Sequence, residues 1–175
     1  MRLFIACELP DAVRQALAGT SAALRDSVEG RYVAPDSFHV TLAFLGDVPG
    51  SRIPALSRIL DEACQGTGSI PVALGALGSF GRKRSATLWQ AFADDSQLKE
   101  LASRIRMALS DDGFFFDEKE FRAHITLMRA ANISEGVLPM PEVEAGIIER
   151  VSLFSSDLSG KRPIYEAIHT VELDS

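Results

Sequence analysis

Two histidines stand in the same local context, one in each half of the chain. Phe38-His39-Val40-Thr41-Leu42 and Ala123-His124-Ile125-Thr126-Leu127 share His-x-Thr-Leu with an aliphatic x. Each stretch reads as a strand, whose period of two puts His39 and Thr41 on one face and Val40 and Leu42 on the other. His124 and Thr126 share a face by the same rule, with Ile125 and Leu127 packed behind them. A single His-x-Thr in a strand is ordinarily a hydrogen-bonded structural histidine. Two copies in a chain with only 3 histidines point instead to two similar half-folds that bring two imidazoles and two hydroxyls to one site.

Paired imidazoles suit attack on a phosphodiester. One neutral histidine deprotonates water while a second, protonated one supplies a proton to the departing ribose oxygen. Threonine hydroxyls donate to the non-bridging oxygens as charge builds on the pentacoordinate transition state. This chemistry asks for no metal and no cofactor. Arg129 is a further candidate for phosphate contact, arginine being well suited to it. A regular strand puts Arg129 on the face opposite His124, and a bend or strand end at Met128 would bring it round. His169 has no threonine two residues on and reads as structural or exposed. A zinc site of His39, His124 and His169 is the weaker alternative, since the spacing matches no known ligand pattern.

The elements that must position these residues follow from periodicity. Met1–Leu9 reads as a strand buried on both sides, and Asp11 opens a helix whose apolar positions run to Val28 before Gly30 stops it. Phe38–Leu45 is a strand. Ser51–Cys64 is a helix that tolerates Pro54 in its first turn. Ile70–Phe80 and Ala86–Ala93 form a hairpin across the polar loop Gly81–Ser85. Leu98, Leu101, Ile105, Ala108 and Leu109 make a third helical stripe. His124–Arg129, Val143–Phe154 and Tyr165–Leu173 complete the strands. Hairpins without a regular βαβ rhythm indicate an α+β fold with mainly antiparallel sheets.

The chain has 175 residues, 46% hydrophobic and 24% charged, enough for one domain with a full core. With 18 Lys and Arg against 24 Asp and Glu, the net charge is −6. That disfavours a broad nucleic-acid-coating surface and leaves room for a small or terminal nucleic-acid substrate. The basic groups Arg82-Lys83-Arg84, Arg122 and Lys161-Arg162 fall on loops, and the hairpin-loop triplet makes the strongest local field. Cys7 and Cys64 lie in apolar patterns and read as reduced, buried thiols. The apolar run Leu3–Cys7 is cut by Glu8 and Pro10 before it reaches signal-peptide length, and no stretch is long enough to span a membrane. A cytoplasmic protein is expected.

At these residues the sequence resembles the 2H phosphoesterase superfamily, most closely its RNA 2′,3′-cyclic phosphodiesterases, also called 2′-5′ RNA ligases. The resemblance runs along almost the whole chain. Besides both His-x-Thr motifs it includes Arg2-Leu3-Phe4-Ile5-Ala6 with Leu9-Pro10, and Phe44-Leu45-Gly46. Gly78-Ser79-Phe80-Gly81, Leu88-Trp89 and Pro163-Ile164-Tyr165 also match. It departs at Ala123, where the family often has proline, and at Phe38. Tyr32 corresponds loosely to an aromatic that often precedes the first motif.

The resemblance implies a single domain over residues 1–175 made of two pseudo-symmetric lobes, their antiparallel sheets flanking a cleft with helices outside. It implies hydrolysis of a terminal 2′,3′-cyclic phosphate to a 2′-phosphomonoester, with joining of RNA ends through a 2′-5′ linkage as a weaker reverse activity. Carried over, His39 is the proton donor to the leaving O3′, His124 the base that activates water, and Thr41 and Thr126 the phosphate contacts. The expected partners are RNA ends or small nucleotides, with the protein a monomer. Two rivals remain: a module of the same fold that holds RNA ends without turnover, and a relative acting on another cyclic or 2′-5′ linked nucleotide.

Overall fold

The computed structural model describes residues 1–174. Its strands are β1 (Arg2–Cys7), β2 (Arg31–Tyr32), β3 (Val40–Asp47), β4 (Ile70–Phe80), β5 (Ala86–Phe92), β6 (Ile125–Ala131), β7 (Ala145–Ile148), β8 (Arg150–Asp157) and β9 (Ile164–Glu172). Its helices are α1 (Asp11–Arg25), α2 (Ile53–Cys64) and α3 (Ser96–Asp111). A four-stranded sheet runs β3-β1-β8-β9 and a five-stranded one β2-β6-β5-β4-β7. Every pairing between these strands is antiparallel. The α+β expectation holds, and the two motif strands fall in different sheets.

Several expected boundaries move, and one short strand is additional. Val143–Phe154 is two strands: β7 pairs with β4 in one sheet and β8 with β1 in the other, so the chain changes sheets at Glu149. Glu149-Arg150 sits at the crossing, but with no glycine or proline there the stretch reads as one strand. The first helix ends at Arg25, short of Val28, whose backbone N–H still reaches the Leu24 carbonyl at 2.8 Å. The two-residue strand β2 lies beside β6, with Arg31 opposite Arg129 and Tyr32 opposite Met128; two residues are too few to show alternation.

The helices are exchanged between the sheets. α1 lies in sequence between β1 and β3 of the four-stranded sheet, yet packs on β7 of the five-stranded one. α3 lies between β5 and β6 of the five-stranded sheet and packs on α2 and β3. It buries Leu98, Leu101, Ala102, Ile105 and Leu109. The buried side chains of both sheets accordingly form one contiguous cluster, from Leu3 and Ile5 of β1 to Ile125 and Leu127 of β6.

α1 approaches β7 closely because Gly146 has no side chain. A Cβ there would stand 2.7 Å from Pro10 Cγ and 3.0 Å from a Val13 methyl, and Val13 is fully buried. Gly146→Val is expected to destabilise the protein by about 1–3 kcal/mol through overpacking, read as a lower urea midpoint. An unchanged midpoint would refute this packing.

Candidate active site

Each motif strand breaks its alternation at the same place. On β3, Thr41 lies opposite Ala6 and Ala43 opposite Ile5, so Leu42 is an extra residue. On β6, Thr126 lies opposite Trp89 and Met128 opposite Leu88, so Leu127 is extra. These are β-bulges one residue past each threonine, and a bulge shifts the parity of everything that follows it. Leu42 and Ala43 are both fully buried, as are Leu127 and Met128, although neighbours on a regular strand face opposite ways. The bulge therefore returns Arg129 to the face that carries His124 and Thr126. The corresponding residue of the first motif is Phe44.

The approaches to the two histidines are held alike. Arg14 of α1 donates from Nη1 to the carbonyls of Pro35 at 2.5 Å and Phe38 at 3.2 Å, fixing the turn before His39. Arg106 of α3 donates from Nη1 to the Lys119 carbonyl at 2.8 Å, on the way to His124, and from Nε to the Leu42 carbonyl at the first bulge, 3.0 Å away. The second bulge carbonyl, of Leu127, accepts from the backbone N–H of Val33 at 2.9 Å. No bulge oxygen is left unpaired, which burial would penalise.

Both imidazoles are oriented by the backbone two residues back. His39 Nδ1 lies 2.7 Å from the Ser37 carbonyl and His124 Nδ1 lies 2.6 Å from that of Arg122. A ring nitrogen facing a carbonyl oxygen must carry the hydrogen, so Nδ1–H donates and Nε2 is the atom left for chemistry. His39 packs against Phe4, at 4.9 Å between ring centres, and edge-on to Tyr165 at 5.4 Å. His124 lies edge-on to Phe80 at 5.3 Å and beside Trp89 at 5.7 Å. Burial among these rings pushes the His39 pKa down to about 4, with the charges of Arg129, His124 and Arg14 adding to the effect. His124 is lowered too, by burial first and then by Arg129 and Arg122.

His39, Thr41, His124, Thr126 and Arg129 all line one cleft of about 410 Å³ between the sheets. Arg31, Lys161 and Arg162 line it as well, and no carboxylate does. In a protein of net charge −6, this is a local field for an anion. The lining offers two imidazoles and neither thiolate nor carboxylate to a metal. His169 is elsewhere, with Nε2 2.7 Å from Asp61 Oδ1 of α2, so the three histidines do not form one set. Sequence reasoning ranked the hairpin triplet Arg82-Lys83-Arg84 above Lys161-Arg162; the triplet does not line the cleft and the pair does. Tyr165 is a half-buried wall of the cleft against His39.

Trp89 stands against His124 because Gly78, its cross-strand partner, leaves room for the indole. A Cβ on Gly78 would come within 2.4 Å of the benzo edge. Gly78→Ala is expected to push the indole onto His124 and lower kcat/KM by roughly 10²-fold, while β4 remains folded by circular dichroism. Normal kinetics would show that the Trp89 contact does not set His124. The depressed His39 pKa has a second consequence. Below pH 6.5 the unfolded chain takes up a proton that the folded site refuses, so stability falls as pH drops from 6.5 towards 4. Urea midpoints across that range should decline more steeply in wild type than in His39→Gln.

Residues 8–89 and 92–165 match the family model described as LigT-like phosphoesterase. The chain is 29% identical over 173 residues to an RNA 2′,3′-cyclic phosphodiesterase of Geobacillus stearothermophilus, a match that covers 94% of this chain and 55% of that protein. The chain thus spans about half the length of that relative. A protein of the same description from Thermotoga maritima is 28% identical, with 99% of this chain and 96% of the relative covered. The crystal structure of Escherichia coli LigT complexed with 3′-AMP superposes with a TM-score of 0.84 at 27% identity, covering 99% of this chain and 98% of that one. With the family model spanning both His-x-Thr strands and the fold shared end to end, the chain belongs to the LigT-like phosphoesterases, the 2H phosphoesterase family.

Proposed function

We propose that this protein is a metal-independent RNA 2′,3′-cyclic phosphodiesterase that opens a terminal 2′,3′-cyclic phosphate to a 2′-phosphomonoester. The observation that carries the reading is the pair of imidazoles, each fixed through Nδ1 by a backbone carbonyl, on the walls of one cationic, carboxylate-free cleft. The relatives named RNA 2′,3′-cyclic phosphodiesterase support the substrate class, and the bound 3′-AMP of the Escherichia coli protein supports a nucleotide in this fold.

In this reading the cyclic phosphate sits between the sheets with its non-bridging oxygens on the Thr41 and Thr126 hydroxyls and the Arg129 guanidinium. His124 Nε2 takes a proton from water as the water oxygen bonds to phosphorus. The P–O3′ bond breaks, and His39 Nε2–H gives its proton to O3′. Solvent then removes the proton from His124 and restores that of His39. A 5′-hydroxyl in place of water would yield a 2′-5′ linkage by the same steps.

With its pKa held down to about 4 by burial, His39 is neutral at pH 7, so the acid form is made when the substrate's negative charge offsets Arg129 and favours the imidazolium. The two sheets act as pseudo-symmetric lobes of one domain, residues 1–175. Among the described residues no helix is long and apolar enough to cross a membrane. A monomer working in the cytoplasm fits these features.

Turnover of a short RNA ending in a 2′,3′-cyclic phosphate is expected in excess EDTA, with a 2′-phosphate product. His39→Ala and His124→Ala should each lower kcat by about 10²–10⁴-fold and leave binding largely intact. A substrate with sulfur in place of O3′ separates the roles, because a thiolate departs without a proton. It should restore His39→Ala and not His124→Ala, and the opposite pattern would exchange acid and base. Binding without turnover by wild type would instead mark an RNA-end binding module.

A further inference from the structure

The cleft carries more positive charge than one phosphodiester needs, and the surplus has a definite place. Arg129 follows Thr126 on β6 and its charge acts on both imidazoles, so it belongs with the reacting phosphate. Lys161 and Arg162 line the same cleft from the facing sheet, on the loop between β8 and β9. That loop leads into Tyr165, whose ring lies edge-on to His39 at 5.4 Å, so the two cations stand on the wall that carries His39, apart from Arg129 on β6.

The loop keeps those two charges available. Asp157, at the end of β8, accepts at Oδ1 from the backbone N–H of Ser159 at 2.9 Å and from its hydroxyl at 2.6 Å. Those bonds hold its carboxyl below the usual range. Among the described residues Lys161 and Arg162 take part in no ion pair, unlike Arg52, Arg58, Lys99, Lys119 and Arg150. Pro163 narrows the backbone freedom of Arg162 just ahead of β9. Two free cations on a short, internally bonded loop suit a second phosphate.

On a nucleotide that ends in a 2′,3′-cyclic phosphate, the next negative charge is the phosphate at the 5′ oxygen, across one ribose. We propose that Lys161 and Arg162 form a second phosphate subsite that takes this 5′-phosphate. The cleft then selects an RNA end, or a 5′-phosphorylated nucleotide, over a bare nucleoside cyclic phosphate. The inference rests on the phosphodiesterase reading above and adds a specificity to it.

The test compares adenosine 2′,3′-cyclic phosphate, its 5′-phosphorylated form and the dinucleotide ending in the same cyclic phosphate, at fixed low salt. Wild type should favour both 5′-phosphate-bearing substrates by about tenfold or more in kcat/KM, mainly through KM, with the preference shrinking as salt rises. In the double variant Lys161→Ala, Arg162→Ala that ratio should fall to near one. Equal use of all three substrates by wild type would overturn the subsite. So would preference for the dinucleotide alone, which marks a base contact, or a ratio that survives the double variant and is lost in Arg31→Ala. Absence of turnover on every substrate would defeat the phosphodiesterase reading instead, and the subsite would then stand or fall on the same ratios measured as Kd.

Discussion

The site depends on where two strands stop alternating. A strand with an unbroken period of two presents His and Thr on one face and sends the residue five past the histidine to the other. One extra residue after each threonine, Leu42 on β3 and Leu127 on β6, reverses that outcome. On β6 it turns Arg129 towards the cleft; on β3 it turns Phe44, over whose ring the Arg2 guanidinium sits at 4.7 Å. The two halves are thus equal in backbone and unequal in charge. The cleft between them has matched imidazoles and hydroxyls, but only the second motif is followed by an arginine.

The bulges cost ladder hydrogen bonds, and the surrounding structure supplies replacements from elements that lead to the opposite histidine. Arg106 and Val33 serve the two bulge carbonyls while belonging to the approaches to His124 and His39 respectively. Positioning of either histidine is therefore shared between the sheets. The aromatic rings behind the imidazoles act on the same pair electrostatically: they exclude water and bias both rings towards the neutral form until an anion arrives.

Much of this was legible in the sequence. The duplicated His-x-Thr, the apolar partners of each strand, the hairpin and the three helical stripes all appear in the expected order, because they rest on side-chain periodicity. The features that escaped leave no periodic trace. A bulge is one added residue inside an apolar run, and Leu127-Met128 looks the same with or without it. The crossing at Glu149 joins two strands that each read as apolar, and β2 is too short to carry a pattern. Lys161-Arg162 looked weaker than Arg82-Lys83-Arg84 by charge count, since a loop's distance from the cleft is a tertiary property.

The exchange of helices and the place of β1 bear on how the chain is made. β1 lies between β3 and β8, so during synthesis it gains its second neighbour only when residues 150–157 have been made. Until then one long edge of β1, with Leu3 and Ile5 on it, has no partner in its sheet. α1 and α3 each pack on strands other than those that flank them in sequence, so the two halves of the sequence fold together. Native pairing across nearly the full chain length makes for slow, late-closing assembly, and an exposed early strand is a point of vulnerability to aggregation during synthesis.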